Sequence, residues 1–487
     1  MVLSKIQSAA FWGLEASVID VEVDVKQGDK FLFIIVGLPD AAVKESKDRV
    51  LAAIRNSNYS LGFVVCTINL APGDIKKEGP LYDLPIALAL LHAEVSTEYL
   101  CIGELGLSGE TRPMKGALSA TLLAKKLGKK GIILPKQNQR EASCVPGIDI
   151  VGVSSLKEAY DFLQDPTPQK SIPLEPFTSV PPLVDFADIK GQLLAKRALE
   201  IAASGGHNLL LSGPPGSGKT LLSKALLGIL PPLSIEEAIE ITRIHSFVGN
   251  SPGLVRERPF RAPHHTISSI GLVGGGGIPK PGEVTLAHLG VLFLDELPEF
   301  ARATLEVLRQ PLENKTVTIS RARQAVTFPT NFLFIAAMNP CPCGYQGHPQ
   351  KVCTDTPPQI QRYKAKISGP LLDRIDMHID VPALPFYDMH KSTKEESSSS
   401  VQQRVIAARA LQYKRAGKTN SLLSNKEITI SPECQNIMGQ AMESMSLTAR
   451  GYYRIIKVAR TIADLSQNEE ILPDHIMEAL SFRSSQR

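Results

Sequence analysis

The sequence predicts an α/β protein of about three domains, and three observations support this class. Alternating strand patterns occur near the amino terminus, a glycine-rich GPPGSGKT segment lies between an apolar strand and a helical run, and the carboxyl-terminal part is helical in pattern. The 487 residues correspond to about three domains of ordinary size. A hydrophobic content of 43% with 21% charged residues is typical of globular proteins and excludes collagen-like, disordered and disulfide-scaffold classes.

Charge and cysteine usage narrow the class further. The net charge of +4 excludes a histone-like polycation but leaves room for local basic patches. Seven cysteines at irregular spacing favour a reduced cytoplasmic protein over a disulfide framework. Residues 1–13 do not resemble a signal peptide and no run of about 18 apolar residues occurs, so we expect no membrane partner.

Two breaks divide the chain. Residues 165–184 carry six prolines, which predicts an extended linker, and residues 391–400 (KSTKEESSSS) are polar without periodicity. The predicted parts are an α+β domain, the linker, a central P-loop domain and a helical tail, over residues 1–164, 165–184, 185–390 and 391–487. Within them we predict a strand and several helices, at 18–25 and at 41–56, 401–416, 432–445, 446–465 and 473–482.

The GxxxxGK[ST] spacing, between a strand at 209–211 and a helix at 221–230, is typical of a phosphate-binding loop. Its glycines let backbone N–H groups approach phosphate oxygens, Lys219 supplies a charge for the β- and γ-phosphates, and Thr220 supplies a hydroxyl for Mg²⁺. The predicted ATP-binding residues are Gly213, Pro214, Pro215, Gly216, Ser217, Gly218, Lys219 and Thr220.

Two further strands end in polar side chains that belong to the same chemistry. The apolar run Val291–Leu294 is followed by Asp295 and Glu296, and parallel strands deliver such acids to a nucleotide cleft. We expect Asp295 to bind Mg²⁺ with Thr220, and Glu296 to polarise the attacking water. Asn339 follows a third strand and would orient that water, so the sequence predicts a Mg²⁺-dependent ATP hydrolase.

Together these segments resemble AAA+ ATPases of the magnesium-chelatase-like branch. GPPGSGKT matches Walker A, VLFLDE Walker B, AAMNP sensor 1, SGPLLDRID the arginine-finger segment and LTARGYYRIIKVARTIADL sensor 2. The resemblance implies an αβα core with a helical lid and assembly into a homo-hexamer. It also implies that Arg374 reaches the ATP of the neighbouring subunit, and that Arg450 contacts the γ-phosphate from its own lid.

Two segments resemble the DNA-facing inserts of that branch. Residues 256–283 resemble its helix-2 insert, and the alternating residues 316–328 resemble its pre-sensor-1 hairpin. Their basic side chains, Lys280, Arg321 and Arg323, are of the kind that contacts nucleic-acid phosphates without reading bases. The alternative for each is a solvated basic turn.

The amino-terminal domain resembles the proteolytic domain of Lon and the similar domain of RadA, through segments such as KKEGPLYDLPIALAL and GELGLSGETRPMKG. Leu81 occupies the position of the nucleophilic serine, and Ser119 aligns with the dyad lysine. A serine–lysine dyad needs both groups, so we expect no protease activity. This domain's partner is not indicated by the sequence.

The whole chain closely resembles the YifB/ComM family. The resemblance implies an ATP-driven motor on single-stranded or branched DNA, which promotes branch migration of recombination intermediates in natural transformation. The alternative is a magnesium-chelatase-type ATPase that drives metal insertion or protein remodelling with partner subunits.

A cysteine-rich loop follows Asn339. Cys341, Cys343, His348 and Cys353 are thiolate and imidazole ligands of the kind that Zn²⁺ prefers. The fourth ligand would be His348, Asp355 or none. Reduced thiols in a tight loop are the alternative to a metal.

Overall fold

The computed structural model describes most of the chain, namely residues 2–29, 32–91, 98–167, 184–249, 253–276, 279–321, 324–348, 350–383, 395–445 and 447–483. The contacts divide it into two compact units. The first comprises Met1–Phe177 and Ile235–Arg256, and the second comprises Thr178–Ser234 and Glu257–Arg487. Most of the predicted linker, and Arg323 at the predicted hairpin tip, lie outside the described residues.

The first unit is built on a seven-stranded mixed sheet. Its strands, in spatial order, are Leu32–Val36, Val64–Ala71, Glu15–Gln27, Val2–Trp12, Tyr99–Cys101, Gly131–Pro135 and Asp149–Val153. A two-stranded ribbon pairs Glu104–Leu105 with Thr111–Arg112. The predicted alternation is observed, because Ile19, Val21 and Val23 are fully buried while the residues between them are partly exposed.

Helices cover this sheet and place apolar side chains in one core. The α-helices are Ala41–Asn56, Asp83–Leu90, Ala117–Lys126, Gln139–Ala142 and Leu156–Gln164, and the 3₁₀ turns are Pro80–Tyr82 and Lys136–Asn138. The first helix has the predicted bounds, and the Asp40 side chain caps it by accepting a hydrogen bond from the Val43 amide at 2.8 Å. The expected α+β domain is therefore observed.

One segment joins the first unit from a distant part of the sequence. The helix Ile235–Val248 contacts the helix Ala117–Lys126, and Ile239 and Leu254 pack against the cluster that contains Leu118. This differs from the continuous central domain that the sequence predicts. The difference arises because the apolar partners of this segment lie more than a hundred residues earlier in the chain.

The second unit is built on a five-stranded sheet with every strand parallel. In spatial order its strands are Phe260–Arg261, Val291–Leu294, Leu333–Met338, Leu209–Ser212 and Met377–Asp380. The central strands are continuous apolar runs because both faces are covered by helices and buried. This is the α/β P-loop core expected from the sequence.

Helices surround the core sheet and form the carboxyl-terminal lid. The α-helices are Leu193–Gly205, Lys219–Ile229, Ser269–Val273, Glu283–Leu286, Arg302–Glu306, Arg309–Asn314, Pro357–Lys364, Gly369–Leu372, Ser398–Ala416, Pro432–Met445, Ala449–Leu465 and Pro473–Ser481. The 3₁₀ turns are Phe186–Asp188, Leu297–Glu299, Asn420–Leu422 and Asn425–Glu427. The first lid helix starts inside the predicted polar break, because the Ser397 hydroxyl accepts a hydrogen bond from the Ser400 amide and caps it.

Two antiparallel ribbons extend the second unit. Gly274–Gly275 pairs with Lys280–Pro281, and Thr316–Arg321 pairs with Gln324–Pro329. The second is the hairpin predicted from alternation. Across the described residues, no helix has both the length and the apolar character that a membrane crossing requires.

Candidate active site

The phosphate-binding loop connects the strand Leu209–Ser212 to the helix Lys219–Ile229, as predicted. Gly216 and Gly218 have φ of +78° and +90°, a region that favours glycine. A Cβ at either position would meet no atom within 4 Å, so these glycines are required by backbone conformation and not by packing. The open space beside the loop, ahead of a helix amino terminus, fits a phosphate chain.

Lys219 is nearly buried and lies at the centre of this loop. Its Nζ donates to the carbonyl oxygens of Gly213 and Pro214 at 2.7 and 3.0 Å, and to Oδ1 of Asn339 at 3.3 Å. Burial lowers the pKa of Lys219. The predicted lysine and the predicted strand-end amide are therefore brought together, and the lysine is satisfied by groups that a phosphate can replace.

Thr220 and Asp295 form the second half of the site. The Thr220 hydroxyl donates to Oδ2 of Asp295 at 2.9 Å, and the backbone amide of Glu296 donates to Oδ1 at 2.9 Å. A hydroxyl beside a carboxylate is a hard-oxygen pair that fits Mg²⁺. These two residues would hold the ion, which supplies positive charge to the β- and γ-phosphate oxygens when bound.

Glu296 has an additional partner that the sequence analysis missed. Nδ1 of His265 lies 3.7 Å from Oε2 of Glu296, and the His265 ring packs against His264 with 4.1 Å between ring centroids. His265 follows the edge strand Phe260–Arg261, which pairs in parallel with the first half of Val291–Leu294, with Arg261 opposite Leu292. The sequence signal for His265 was RAPHH, which begins at the last residue of this outer strand. Residues that follow a strand of a parallel sheet lie on the side of the sheet where the nucleotide binds.

Arg374 and Arg450 come together at one carboxylate. Arg374 forms an ion pair with Glu313 and donates to the carbonyl oxygen of Pro370 at 2.7 Å. Nη2 of Arg450 lies 3.9 Å from Oε1 of the same glutamate. The hydrogen bond from Arg374 holds the pKa of the Glu313 carboxyl below its usual value. Glu313 was not identified in the sequence.

These arginines lie at the opposite edge of the sheet from the phosphate-binding loop. The carbonyl oxygen of Arg374 accepts a hydrogen bond of 3.0 Å from the Asn208 side chain, immediately before the strand Leu209–Ser212. That strand is about 13 Å long at 3.3 Å per residue, and the loop follows its other end. The structure therefore places Arg450 at the far end of this strand from the phosphate-binding loop of its own chain.

A buried carboxylate fixes this arrangement. Asp376 accepts hydrogen bonds from the backbone amide of Asn208 at 2.8 Å and forms an ion pair with Arg454 of the lid. Burial acts to raise the pKa of Asp376, but the Arg454 charge, His207 and the Asn208 amide together outweigh it and hold the pKa below its usual value. The lid helix that carries Arg450 is thereby anchored at the side of the core sheet where its parallel strands begin, which we call the amino edge.

The basic residues predicted to contact DNA lie on the two ribbons. Lys280 is exposed on the shorter ribbon. Arg321 ends the strand Thr316–Arg321 and pairs through its backbone with Gln324. Arg323, which belongs to the same predicted group, is outside the described residues.

The positions aligned with the Lon dyad are occupied as follows. Leu81 is buried in the 3₁₀ turn Pro80–Tyr82. The Ser119 hydroxyl donates to the carbonyl oxygen of Leu14 at 3.1 Å. Neither side chain supplies the nucleophile or the base of a serine–lysine dyad.

The cysteine-rich loop forms a compact cluster beside the nucleotide loop. The sulfur atoms of Cys341, Cys343 and Cys353 lie 3.4 to 3.6 Å apart, and the carboxylate that joins them is that of Asp355. The structure does not bring His348 into this group. Its Nδ1 instead accepts the backbone amides of residues 350 and 351, at 3.1 and 3.0 Å.

Comparison with known proteins identifies the family. Residues 185–389 match the model described as magnesium chelatase, subunit ChlI. Residues 21–138 match the model described as subunit ChlI of Mg-chelatase, and residues 395–483 match its ChlI C-terminal model. The three matches cover the Lon-like domain, the P-loop core and the lid.

Two relatives match over the full length of the chain, and a third matches its amino-terminal part. The chain is 43% identical over 510 residues to the uncharacterized protein YifB of Escherichia coli strain K12, with 100% of this chain and 98% of that protein covered. It is 42% identical over 509 residues to the competence protein ComM of Haemophilus influenzae, with the same coverage. Lon protease 2 of Borreliella burgdorferi is 31% identical over 183 residues, which cover 33% of this chain and 23% of that protease. The chain therefore belongs to the YifB/ComM family, magnesium-chelatase-like AAA+ ATPases with an amino-terminal Lon-protease-like domain.

Proposed function

We propose that this protein is a cytoplasmic ATP-driven DNA motor that works as a homo-hexameric ring and promotes branch migration of recombination intermediates. The observation that carries the proposal is that Arg374 and Arg450 lie at the opposite end of the core sheet from the phosphate-binding loop. An ATPase centre that uses groups from both ends of the sheet is complete only when one subunit meets the next in a head-to-tail interface. Such interfaces generate rings when the rotation between subunits closes.

The carboxyl edge, the side of the core sheet where its parallel strands end, supplies the groups that bind ATP and activate water. Lys219 balances the charge of the β- and γ-phosphates, while Thr220 and Asp295 would hold Mg²⁺. Glu296 accepts a proton from the attacking water as its oxygen bonds to the γ-phosphorus and the bond to the β–γ bridging oxygen breaks. The Asn339 side-chain oxygen accepts a hydrogen bond from Lys219, the residue that binds the γ-phosphate. Asn339 is therefore close enough to the γ-phosphate to orient the attacking water.

The amino edge supplies the groups that act on the neighbour. Arg374 and Arg450 are held together by Glu313, at the opposite end of the strand Leu209–Ser212 from their own phosphate-binding loop. We assign both arginines to the ATP of the adjacent subunit, which changes the expected role of Arg450. An arginine supplied between subunits can raise turnover by about 10³ to 10⁵. Hydrolysis then depends on the ring, and the steps can follow one another around it.

DNA as the substrate is supported by the two ribbons and by one relative. Exposed Lys280, and Arg321 at the end of the strand Thr316–Arg321, are basic residues suited to the phosphate backbone, which carries the same charge in every sequence. The Haemophilus relative is named a competence protein, and competence involves the uptake of DNA. Branch migration needs a motor that moves along strands without reading bases, as such contacts allow.

A second candidate is a magnesium-chelatase-type ATPase that drives metal insertion or protein remodelling with partner subunits. It is favoured by the descriptions of the three family models, which all name the chelatase subunit. It differs in substrate and not in the ATPase centre. The two functions are therefore distinguished by whether DNA or a protein partner stimulates ATP hydrolysis.

The test measures ATP hydrolysis with forked, four-way and linear DNA in turn, and without DNA, with Lys219→Ala as the inactive control. We expect single-stranded or branched DNA to raise the rate and to stabilise the ring in sedimentation. A rate and an assembly state indifferent to every DNA would contradict the proposal. Stimulation by a porphyrin-binding protein partner instead would favour the second candidate.

A further inference from the structure

We propose that the cysteine-rich loop binds one zinc ion through Cys341, Cys343, Cys353 and Asp355, and that this metal holds the loop against the phosphate-binding loop. The metal site itself is independent of the proposed DNA activity. Its effect on nucleotide binding rests on the ATPase centre described above.

The donor atoms already have the spacing of a metal site. The three sulfur–sulfur distances of 3.4, 3.6 and 3.5 Å are far too long for a disulfide. A tetrahedral zinc with bonds of about 2.3 Å separates its sulfur ligands by about 3.8 Å. The ligand atoms of the cluster, including the Asp355 carboxylate, all lie within 4.8 Å of one another.

The chain around the cluster supports the ligands. The Gln346 amide donates to the Cys341 sulfur at 3.3 Å, and the Cys343 amide donates to Oδ2 of Asp355 at 2.7 Å. Hydrogen bonds to ligand atoms orient them and favour their charged forms. Cys341 is buried and the other three groups are half-buried, which is typical of a closed structural site and not of a catalytic one with an open position.

Zinc is the metal that this donor set selects. Three thiolates are soft ligands, and together with one carboxylate in a small tetrahedral space they suit Zn²⁺ and do not suit Mg²⁺ or Ca²⁺. Reduced thiols without a metal would be linked to one another only by weak S–H···S hydrogen bonds. A zinc ion balances the negative charge that three thiolates and one carboxylate would otherwise concentrate.

The loop contacts the ATPase centre at a glycine. Gly344, inside the cluster, has φ of +82°, and a Cβ there would lie 2.6 Å from Cδ of Pro215 in the phosphate-binding loop. The same added atom would lie 3.9 Å from the Asn339 side chain. The metal would therefore fix a segment that packs against the phosphate-binding loop at Pro215 and lies near the Asn339 side chain.

Loss of the metal should loosen this contact without removing any group that touches ATP. We expect zinc-depleted protein to need several-fold more ATP for half-maximal turnover. The variant Gly344→Ala changes the same contact with the ligands intact, so it should retain zinc and still show the higher ATP requirement. Comparing zinc-depleted protein with Gly344→Ala distinguishes loss of the metal from a change in the contact between the two loops.

The experiment measures metal content by mass spectrometry in full-length protein purified without a histidine tag, and the absorption spectrum after Co²⁺ replacement. We expect one zinc per chain and strong thiolate-to-cobalt charge-transfer bands. Cys343→Ser and Cys353→Ser should lose the metal, whereas His348→Ala, the matched control in the same loop, should keep it. Asp355→Cys should keep one zinc and hold it more tightly against a chelator.

Two results would overturn the site. Wild-type protein with less than about a tenth of an equivalent of zinc and no charge-transfer band after cobalt addition would exclude it. Loss of zinc in His348→Ala, with full retention in Asp355→Asn, would replace the proposed donor set. Circular dichroism of each variant shows whether the fold is retained, and the wild-type metal content decides the site even if a variant fails to fold.

Discussion

The two-edge arrangement of the ATPase centre makes a quantitative prediction for mixed rings. Lys219→Ala removes the carboxyl-edge lysine and leaves the arginines of that subunit intact, while Arg450→Ala does the reverse. Each variant alone should be nearly inactive. In a mixed ring, a centre is complete where the Arg450→Ala subunit supplies the phosphate loop and a Lys219→Ala subunit supplies the arginine.

The expected recovery follows from random mixing. At a one-to-one ratio the phosphate loop of a given interface is intact in half of the cases and the arginine is intact in half, so about a quarter of the interfaces are complete. The ATPase rate of the mixture should therefore approach about a quarter of the wild-type rate, against almost none for either variant alone. The assay is steady-state ATP hydrolysis after coexpression with two different tags and purification through both.

A matched pair controls for other effects of mixing. Glu296→Gln and Lys219→Ala both act at the carboxyl edge of the same chain, so their mixture leaves every centre incomplete and should not recover. If the Arg450→Ala mixture also fails to recover although doubly tagged complexes are isolated, Arg450 acts within its own chain and the reasoning is refuted.

Three further predictions follow from the described contacts. Glu296→Gln should keep ATP binding, measured by fluorescent-nucleotide titration, but lose turnover, because only the water-activating carboxylate is removed; normal turnover would exclude that role. His265→Ala should lower kcat with little change in KM, because Nδ1 lies 3.7 Å from the Glu296 carboxylate and not at the phosphate loop; an unchanged kcat would show that the contact is incidental. Burial lowers the pKa of His378 from 6.5 to about 4, so the unfolded state binds more protons between these values and stability falls as the pH decreases through this range. Acidification from pH 7 to 5 should cost the second unit about 2 kcal/mol at this residue, and a thermal midpoint that is lowered equally in wild type and His378→Gln would contradict this.

Local sequence was sufficient for much of the fold and for one edge of the site. The phosphate loop, its flanking strand and helix, and the strand-end residues Asp295 and Asn339 were recognisable because each depends on spacing within a few residues. The lid helix Pro432–Met445 and the helix Ala41–Asn56 have the predicted bounds because their apolar periodicity is set along one helix face.

Long-range packing decided what the sequence could not predict. Glu313 meets Arg374 across 61 residues of chain, and Asn208 meets the carbonyl oxygen of Arg374 across 166. Neither pairing has a local pattern, so the placement of the arginines at the amino edge depends on how the last core strand and the lid are assembled. The same applies to residues 235–256, whose apolar partners lie in the first unit.

The fourth ligand of the cysteine cluster could not be predicted from the sequence either. Spacing left His348, Asp355 or no residue as the fourth ligand, because both side chains lie in the same short loop. The structure separates them: two backbone amides turn His348 away, while the Cys343 amide holds Asp355 beside the thiols.

The central claim is that ATP hydrolysis at this divided centre moves branched DNA. The most direct measurement follows the conversion of a labelled four-way junction into its two forked products on a native gel, with ATP and Mg²⁺. We predict conversion by wild-type protein and none by Glu296→Gln, although that variant binds both ATP and the junction. Junctions that stay intact while wild-type protein hydrolyses ATP at full rate would contradict the proposed branch-migration function.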